Sequence, residues 1–406
     1  MARPDSFVPP LRLQLGRDRL GFFAFVAANA ASELGNVVAV VALPWFVLVT
    51  TGSPARTGIT AFATTLPMVF GAIAGGPIVD RLGLRRTSVL SDLGAGVFIA
   101  TIPLLHALDV LGFWTLVGVA LLAATCEAPG RAVRRALVPE LAERAQLALE
   151  RANSIAATSE HTGYVLGAPL AGVLIAALGA PGALWVDAGT FLGSAALVAG
   201  AVPDVGGSLG ATRVLDGFRH VAKTPVLRAF FLIWTVGTFF IGPIASVVLP
   251  VYARTEFGGP GSLAACVTAY GVGGLAGTLA FGAIGLRLPR RAFYVGMWLV
   301  YPTLSFLLVA IPRLALLVVL LFAFGLVAGA YNPFEVTIQQ ELIPPDLRAR
   351  AFALLVASEM IVLPPAMLLD GVVLDAAGLR AGLLLFAIGN TLLAAYALAN
   401  RAARRL

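Results

Sequence analysis

The sequence predicts an all-α membrane protein with twelve transmembrane helices in two six-helix halves. Composition is the first reason: of 406 residues, 59% are hydrophobic and only 12% charged, with a mean hydropathy of +0.92, far too apolar for a soluble chain. Spacing is the second, because apolar runs of about 20 residues, the length that crosses a bilayer as a helix, follow one another with short polar loops between them. Repetition is the third. Leu43-Pro44 recurs as Leu249-Pro250, Arg85-Arg86 as Arg290-Arg291, and LVPE at 137–140 as LIPP at 342–345, all at an offset of about 205 residues.

Taken in order, a basic arm with Arg3, Arg12, Arg17 and Arg19 precedes spans at 21–49, 58–79, 87–106, 112–130, 153–178 and 182–202. The first apolar run is long and continues past any h-region, so it reads as an uncleaved span. A more polar connector, 203–225, sets Val214, Phe218 and Val221 opposite Arg219 and Lys223, which suits a helix lying at the interface. Spans at 226–252, 262–286, 292–311, 314–337, 351–375 and 380–400 complete the chain. The domains are therefore 1–202, the connector 203–225, and 226–406.

The terminal arms, the even-numbered connections and the connector hold 24 of the 28 Lys and Arg residues, leaving Arg56, Arg254, Arg313 and Arg380 for the opposite face. By the positive-inside rule both termini are cytoplasmic, in the plasma (inner) membrane. The net charge of +7 lies in loops, so nucleic acid is not implied. Cys126 and Cys266 provide neither a disulfide framework nor metal-ligand spacing. No phosphate-cradling GxxxxGK[ST] loop is present, so ATP-driven transport is not suggested, and no cofactor is expected.

One loop stands out. GGPIVDRLGLRR at 75–86 turns the chain out of the membrane and back within a few residues, with Gly83 relieving the turn and Arg81, Arg85 and Arg86 staying in water. Gly76, Asp80, Arg81, Gly83, Arg85 and Arg86 fill the pattern G-x-x-x-D-R-x-G-x-R-R. Here the chain resembles the major facilitator superfamily of secondary transporters, whose signature loop lies between helices 2 and 3. The resemblance implies parallel halves with a substrate site between them, and it makes Asp80 and Arg81 gating residues, with Arg131 or Arg134 as partners of Asp80. The second copy is degraded, since Gly285 stands where the acid would be. SELGN and ALPW within 32–45, the segments at 134–155 and 186–191, and the connector at 216–229 resemble the enterobactin-exporter-like branch, which exports drugs, macrolides and siderophores. GYVLGAPLAG at 163–172 matches in part the fifth-helix glycine pattern usual in efflux proteins, and the family's usual fourth-helix Arg-x-x-Gln-Gly is absent.

Polar groups inside spans need partners or a cavity, because an ionisable side chain at mid-bilayer costs roughly 2.5–3.5 kcal/mol. Asn29, Ser32, Glu33 and Asn36 share one helical face, so this face is expected to line the cavity. Glu33 is the leading proton-coupling candidate, the alternative being a hydrogen-bonded helix contact. Glu160 with His161, and Glu359, follow. Glu127 and Arg131 are spaced for an intrahelical ion pair. Asp92, Asp187 and Glu335 lie near the predicted span ends and read as structural groups that snorkel to water. Tyr331-Asn332-Pro333 reads as a kink whose freed carbonyl faces substrate, with Tyr331 and Asn332 on the cavity. Trp45, Trp114, Trp185 and Trp234 read as interface anchors, and Phe239, Phe240 and Tyr270 as weaker candidates for cavity lining.

The function expected is efflux of a small, largely apolar compound in exchange for protons, by a monomer embedded in the lipid bilayer. A solute importer, or a receptor or scaffold that has lost transport, are the alternatives. No nucleophile–base pair or metal constellation suggests an enzyme.

Overall fold

The computed structural model describes residues 11–204, 221–284, 287, 289–310 and 313–400. Helices run in order as α1 (Leu11–Thr51), α2 (Pro54–Leu82), α3 (Leu84–Ala107), α4 (Phe113–Arg144), α5 (Leu149–Ala201), α6 (Pro225–Ile241), α7 (Val248–Tyr252), α8 (Pro260–Ile284), α9 (Arg290–Val309), α10 (Leu314–Leu342) and α11 (Pro345–Ala399). Nine helical stretches among the described residues are long and apolar enough to cross a membrane. Two of the helices, α5 and α11, bend at Gly179 (φ +74°) and Gly378 (φ +79°). Each of these bends divides its helix into two arms, and α2, not among the nine, is 29 residues long.

The connection between α2 and α3 is a single residue. Gly83, at φ +78°, separates α2 from α3 and donates its N–H to the Val79 carbonyl at 2.7 Å, a left-handed geometry in which a Cβ would be strained. Arg85 then turns onto α5, its guanidinium donating to the Val198 and Ala199 carbonyls in the helix's last turn. A cation there satisfies exposed carbonyls and complements the helix dipole.

The seventh predicted span is not one continuous helix. α6 ends at Ile241, a 3-10 turn covers Gly242–Ile244, and α7 resumes at Val248, because Pro243 has no N–H to continue the ladder.

Close packing between helices is made by small residues. A Cβ on Gly273 or Gly277 of α8 would collide with the Phe322 or Leu326 carbonyl of α10, and one on Gly325 or Gly329 with the Tyr270 or Gly274 carbonyl of α8. Both faces have the small-xxx-small spacing that lets membrane helices touch backbone to backbone. The kink expected at Pro333 is satisfied within this interface. The helix runs on through Pro333, and the Gly329 carbonyl four residues earlier accepts from Thr278 Oγ1 at 3.0 Å. The freed carbonyl is thus taken by α8 and does not face substrate.

The fifth-helix glycines do similar work. Gly163 and Gly167 lie against Glu33, Leu34 and Val37 of α1, and Gly172 against Ala264 of α8. Helices before residue 202 meet those after 225 chiefly through α2 with α11, α5 with α8, and α1 with α7. Between α2 and α11, Gly58 meets Gly371, while Asp375 Oδ1 accepts from Ser53 Oγ at 2.9 Å and from the Ala55 N–H at 3.4 Å. Asp375 thereby places a negative charge on the N-terminus of α2, where the dipole is positive.

The amphipathic pattern at 214–219 and Gly285 lie outside the described residues. At the connector's end Val221 is buried against Leu227, Ile343 and Ala351.

Candidate functional site

Three acids read as lying near span ends are instead sealed inside the bundle: Asp92 is 1% exposed, and Asp187 and Glu335 are 0%. The reason is common to all three. Apolar runs stop at the first charge, but the helices do not. α3 begins at Leu84 and the second arm of α5 directly after Gly179, so Asp92 and Asp187 each lie eight residues, roughly 12 Å, into their helices. α10 continues past Glu335 to Leu342.

Asp92 is partnered. Its Oδ1 accepts from Arg134 Nη1 at 3.2 Å and its Oδ2 from Ser194 Oγ at 2.6 Å, while the same Arg134 nitrogen donates to Ser32 Oγ at 3.0 Å. One buried charge pair thus joins α1, α3, α4 and α5. Arg134, expected as a partner of Asp80, is committed to Asp92. Removing one member of such a pair leaves an uncompensated charge and costs about 3–5 kcal/mol. Arg134→Met is therefore expected to lower detergent-solubilised stability by that amount, and Arg134→Met with Asp92→Leu to recover most of it, as read by thermal unfolding.

Asp187 is not partnered: neither carboxylate oxygen has a hydrogen bond. It is enclosed because α1 approaches through Gly35, where a Cβ would strike Thr190 Oγ1 and stand 2.6 Å from Asp187 Oδ1. Asp187 lines a cavity of about 130 Å³ with Asn36, Thr60, Thr64, Glu127 and Arg131, closed from the C-terminal side by Ser246 and Met367. Arg131 Nε donates to Glu127 Oε1 at 2.6 Å, the expected i,i+4 pair. Asn36 Nδ2 is buried without a partner in the same wall.

The polar face of α1 is only partly on this cavity. Asn29, Ser32 and Asn36 are buried, Ser32 bonds Arg134, and Asn36 reaches the cavity. Glu33 is half-buried, stands beside Gly163 and lines none of the three principal cavities. Glu160 and His161 lie on α5, but their side chains, like the surroundings of Gly76, fall outside the described residues. Asp80, Arg81 and Arg86 are exposed at the α2–α3 turn.

A second cavity, about 250 Å³, lies among the C-terminal helices. Tyr331 and Asn332 line it, together with Tyr270 and Glu359. Trp298 and Glu335, which the sequence reading did not place there, complete its wall with Tyr301 and Trp234. A third, about 720 Å³ and almost wholly apolar, opens beside the contact of α5 with α8 and is lined by Val173, Thr268, Val319 and Phe322 among others. Of the tryptophans, Trp114 (72% exposed) and Trp185 (47%) face outward, Trp45 is buried at 6%, and Trp234 turns to the second cavity. Trp45 is therefore a core residue and not an anchor, since α1 runs on for six residues beyond it.

Residues 25–266 and 235–405 match the family model described as Major Facilitator Superfamily. The chain is 32% identical over 390 residues to Multidrug efflux pump Tap of Mycolicibacterium fortuitum, covering 93% of this chain and 94% of that one. It is 30% identical over 377 residues to Multidrug efflux pump Tap of Mycobacterium tuberculosis, covering 90% of each. Among solved structures, nucleoside transporter NupG superposes with a TM-score of 0.73 at 13% identity, over 93% of this chain and 98% of that one. A bacterial homologue of the human lysosomal transporter Spinster, inward-facing and unoccupied, gives 0.71 at 14%, over 98% and 99%. D-xylose-proton symporter gives 0.70 at 14%, over 92% and 96%. At these identities the likeness is one of fold.

Proposed function

Because the chain belongs to the Major Facilitator Superfamily, we propose that it exports small, largely apolar compounds of the drug class from the cytoplasm in exchange for protons, as a monomer in the plasma membrane. The observation that carries the export reading is the alignment, over more than nine-tenths of both chains, with a multidrug efflux pump. Proton coupling rests on Asp187, a buried carboxyl with no hydrogen-bond partner on a cavity bounded by both groups of helices. A proton that neutralises such a group changes the free-energy difference between conformations, and a gradient can then drive the cycle. Glu33, Glu160 with His161, and Glu359 stand behind Asp187 as proton carriers.

The halves are 1–202 and 226–406, joined by the connector at 203–225, with both termini cytoplasmic. In this orientation the Ser53–Asp375, Gly58–Gly371 and Gly172–Ala264 contacts lie on the outer side and form the outer gate. Gly76, Asp80, Arg81, Gly83, Arg85, Arg86 and Arg131 form the inner gate that closes in the opposite state.

Inverted membrane vesicles with an acidified lumen test this reading. Members of a drug panel should accumulate in the lumen several-fold above vesicles lacking the protein, and a protonophore should abolish the excess. Failure of every compound to move would overturn export. Single cysteines at Arg85 and Arg290 should resist an impermeant thiol reagent outside intact cells, while one at Arg313 labels; the reverse pattern would overturn the orientation.

A further inference from the structure

The C-terminal cavity gathers two buried polar atoms without hydrogen-bond partners, Trp234 Nε1 and Glu335 Oε2, beside the Trp298 indole and the Tyr331 hydroxyl, which interact with each other. Buried polar groups in membrane bundles are normally paired, so two left open on one cavity point to a ligand that completes them. Glu335 is held in place from behind, where its Oε1 accepts from Gln339 Nε2 at 2.9 Å, leaving Oε2 for the cavity. Two acids, Glu335 and Glu359, line the space, with no Lys, Arg or His among its described lining residues, and Arg135 of α4 acts on Glu359 from outside it.

Five aromatic residues, Trp234, Tyr270, Trp298, Tyr301 and Tyr331, share the wall with the acids. Trp298 packs edge-on to Tyr331 with centroids 5.5 Å apart and tilts over Tyr301 at 6.0 Å. Ring faces attract cations electrostatically, most strongly where water is excluded. A cation in the cavity would compensate the ionised Glu335 carboxylate, whereas an anion would be repelled by it and a neutral compound would gain nothing from it. The volume of about 250 Å³ is close to the lower end of small-molecule pockets, roughly 300–1,000 Å³.

We infer that this cavity is a recognition site for lipophilic organic monocations, which place their positive centre between Glu335 and the Trp298–Tyr331 rings and offer acceptor atoms, where they have them, to the Trp234 indole N–H. The inference rests on the export reading and names a substrate class within it.

The test uses the purified full-length protein in lipid nanodiscs with two probes of similar shape, tetraphenylphosphonium, a permanent cation, and neutral triphenylphosphine oxide. Wild type should bind the cation at least tenfold more tightly. Glu335→Gln, which keeps the contact with Gln339, should weaken the cation at least tenfold and the neutral probe less than about threefold. Trp298→Ala should weaken the cation severalfold and Trp298→Phe less. Equal binding of the two probes by wild type would overturn the proposal without any variant, as would unchanged cation binding in a folded Glu335→Gln. Should Glu335→Gln fail to fold, the probe preference of wild type and the Trp298 pair decide. Vesicle transport separates the two readings: efflux of neutral compounds alone keeps export and removes the cation site, whereas cation binding with no compound transported keeps the site and removes export.

Discussion

Asp187→Asn is expected to abolish pH-driven accumulation of substrate while leaving substrate exchange intact. Asparagine has the same shape and cannot ionise, so it holds the site in one protonation state. A gradient of one pH unit is worth about 1.4 kcal/mol per proton, equivalent to a tenfold concentration ratio. With the membrane potential collapsed and one proton exchanged per substrate, wild type should sustain a roughly tenfold ratio per unit, and Asp187→Asn a ratio near one. Loss of fold is not the expected cause, because neither Asp187 oxygen makes a hydrogen bond that the variant would break, and removing an unpaired ionisable group from the interior relieves desolvation. Counterflow in proteoliposomes measures the exchange arm. Wild-type accumulation by Asp187→Asn would exclude Asp187 from coupling and move the test to Glu33→Gln and Glu359→Gln.

Local features of the chain were legible because their causes are local. Gly83 announced a one-residue turn that only a positive φ can make, and Glu127 and Arg131 pair at the spacing that puts them on one face. The bends at Gly179 and Gly378 fall between spans read as separate. What the sequence concealed depends on neighbours far along the chain. Asp92 finds Arg134 and Ser194 at separations of 42 and 102 residues, and Thr278 finds the carbonyl released by Pro333 51 residues away from its partner. Asp187 and Glu335 were hidden for a different reason, since hydropathy marks where a segment ceases to be apolar and not where its hydrogen-bond ladder ends. An acid one or two turns inside a helix end therefore looks solvated until the packing of adjacent helices is known. Tyr331 and Asn332 were found by their place beside a proline, but Trp298 belongs to a different helix and only the tertiary contact brings it to them.

The outer contact between α2 and α11 supplies the second large effect. A Cβ on Gly371 would stand 2.7 Å from Gly58 Cα and 3.0 Å from the Pro54 carbonyl, and one on Gly58 would stand 2.7 Å from the Met367 carbonyl. These are backbone atoms, which cannot swing aside as a flexible side chain does, so Gly371→Leu must push the two helices apart. Overpacking of this kind costs about 1–3 kcal/mol, and the whole penalty falls on the conformation in which the outer side is closed. A difference of that size changes a two-state ratio by roughly 5- to 150-fold. The Ser53–Asp375 hydrogen bond should be lost with it, exposing the N-terminus of α2. A cysteine at Ser53 is accordingly expected to react with an impermeant thiol reagent at least fivefold faster in Gly371→Leu than in the parent protein, and transport should fall below about a tenth. Gly118 on α4 has no atom within 4 Å of its Cβ position beyond its chain neighbours and its own helical backbone, so Gly118→Leu should leave both readings within twofold, the result expected if added bulk alone is harmless. If Gly371→Leu transports at the normal rate with unchanged labelling, the glycine contact is packing that the cycle does not break, and the outer gate must be sought between α5 and α8, where Gly172 meets Ala264.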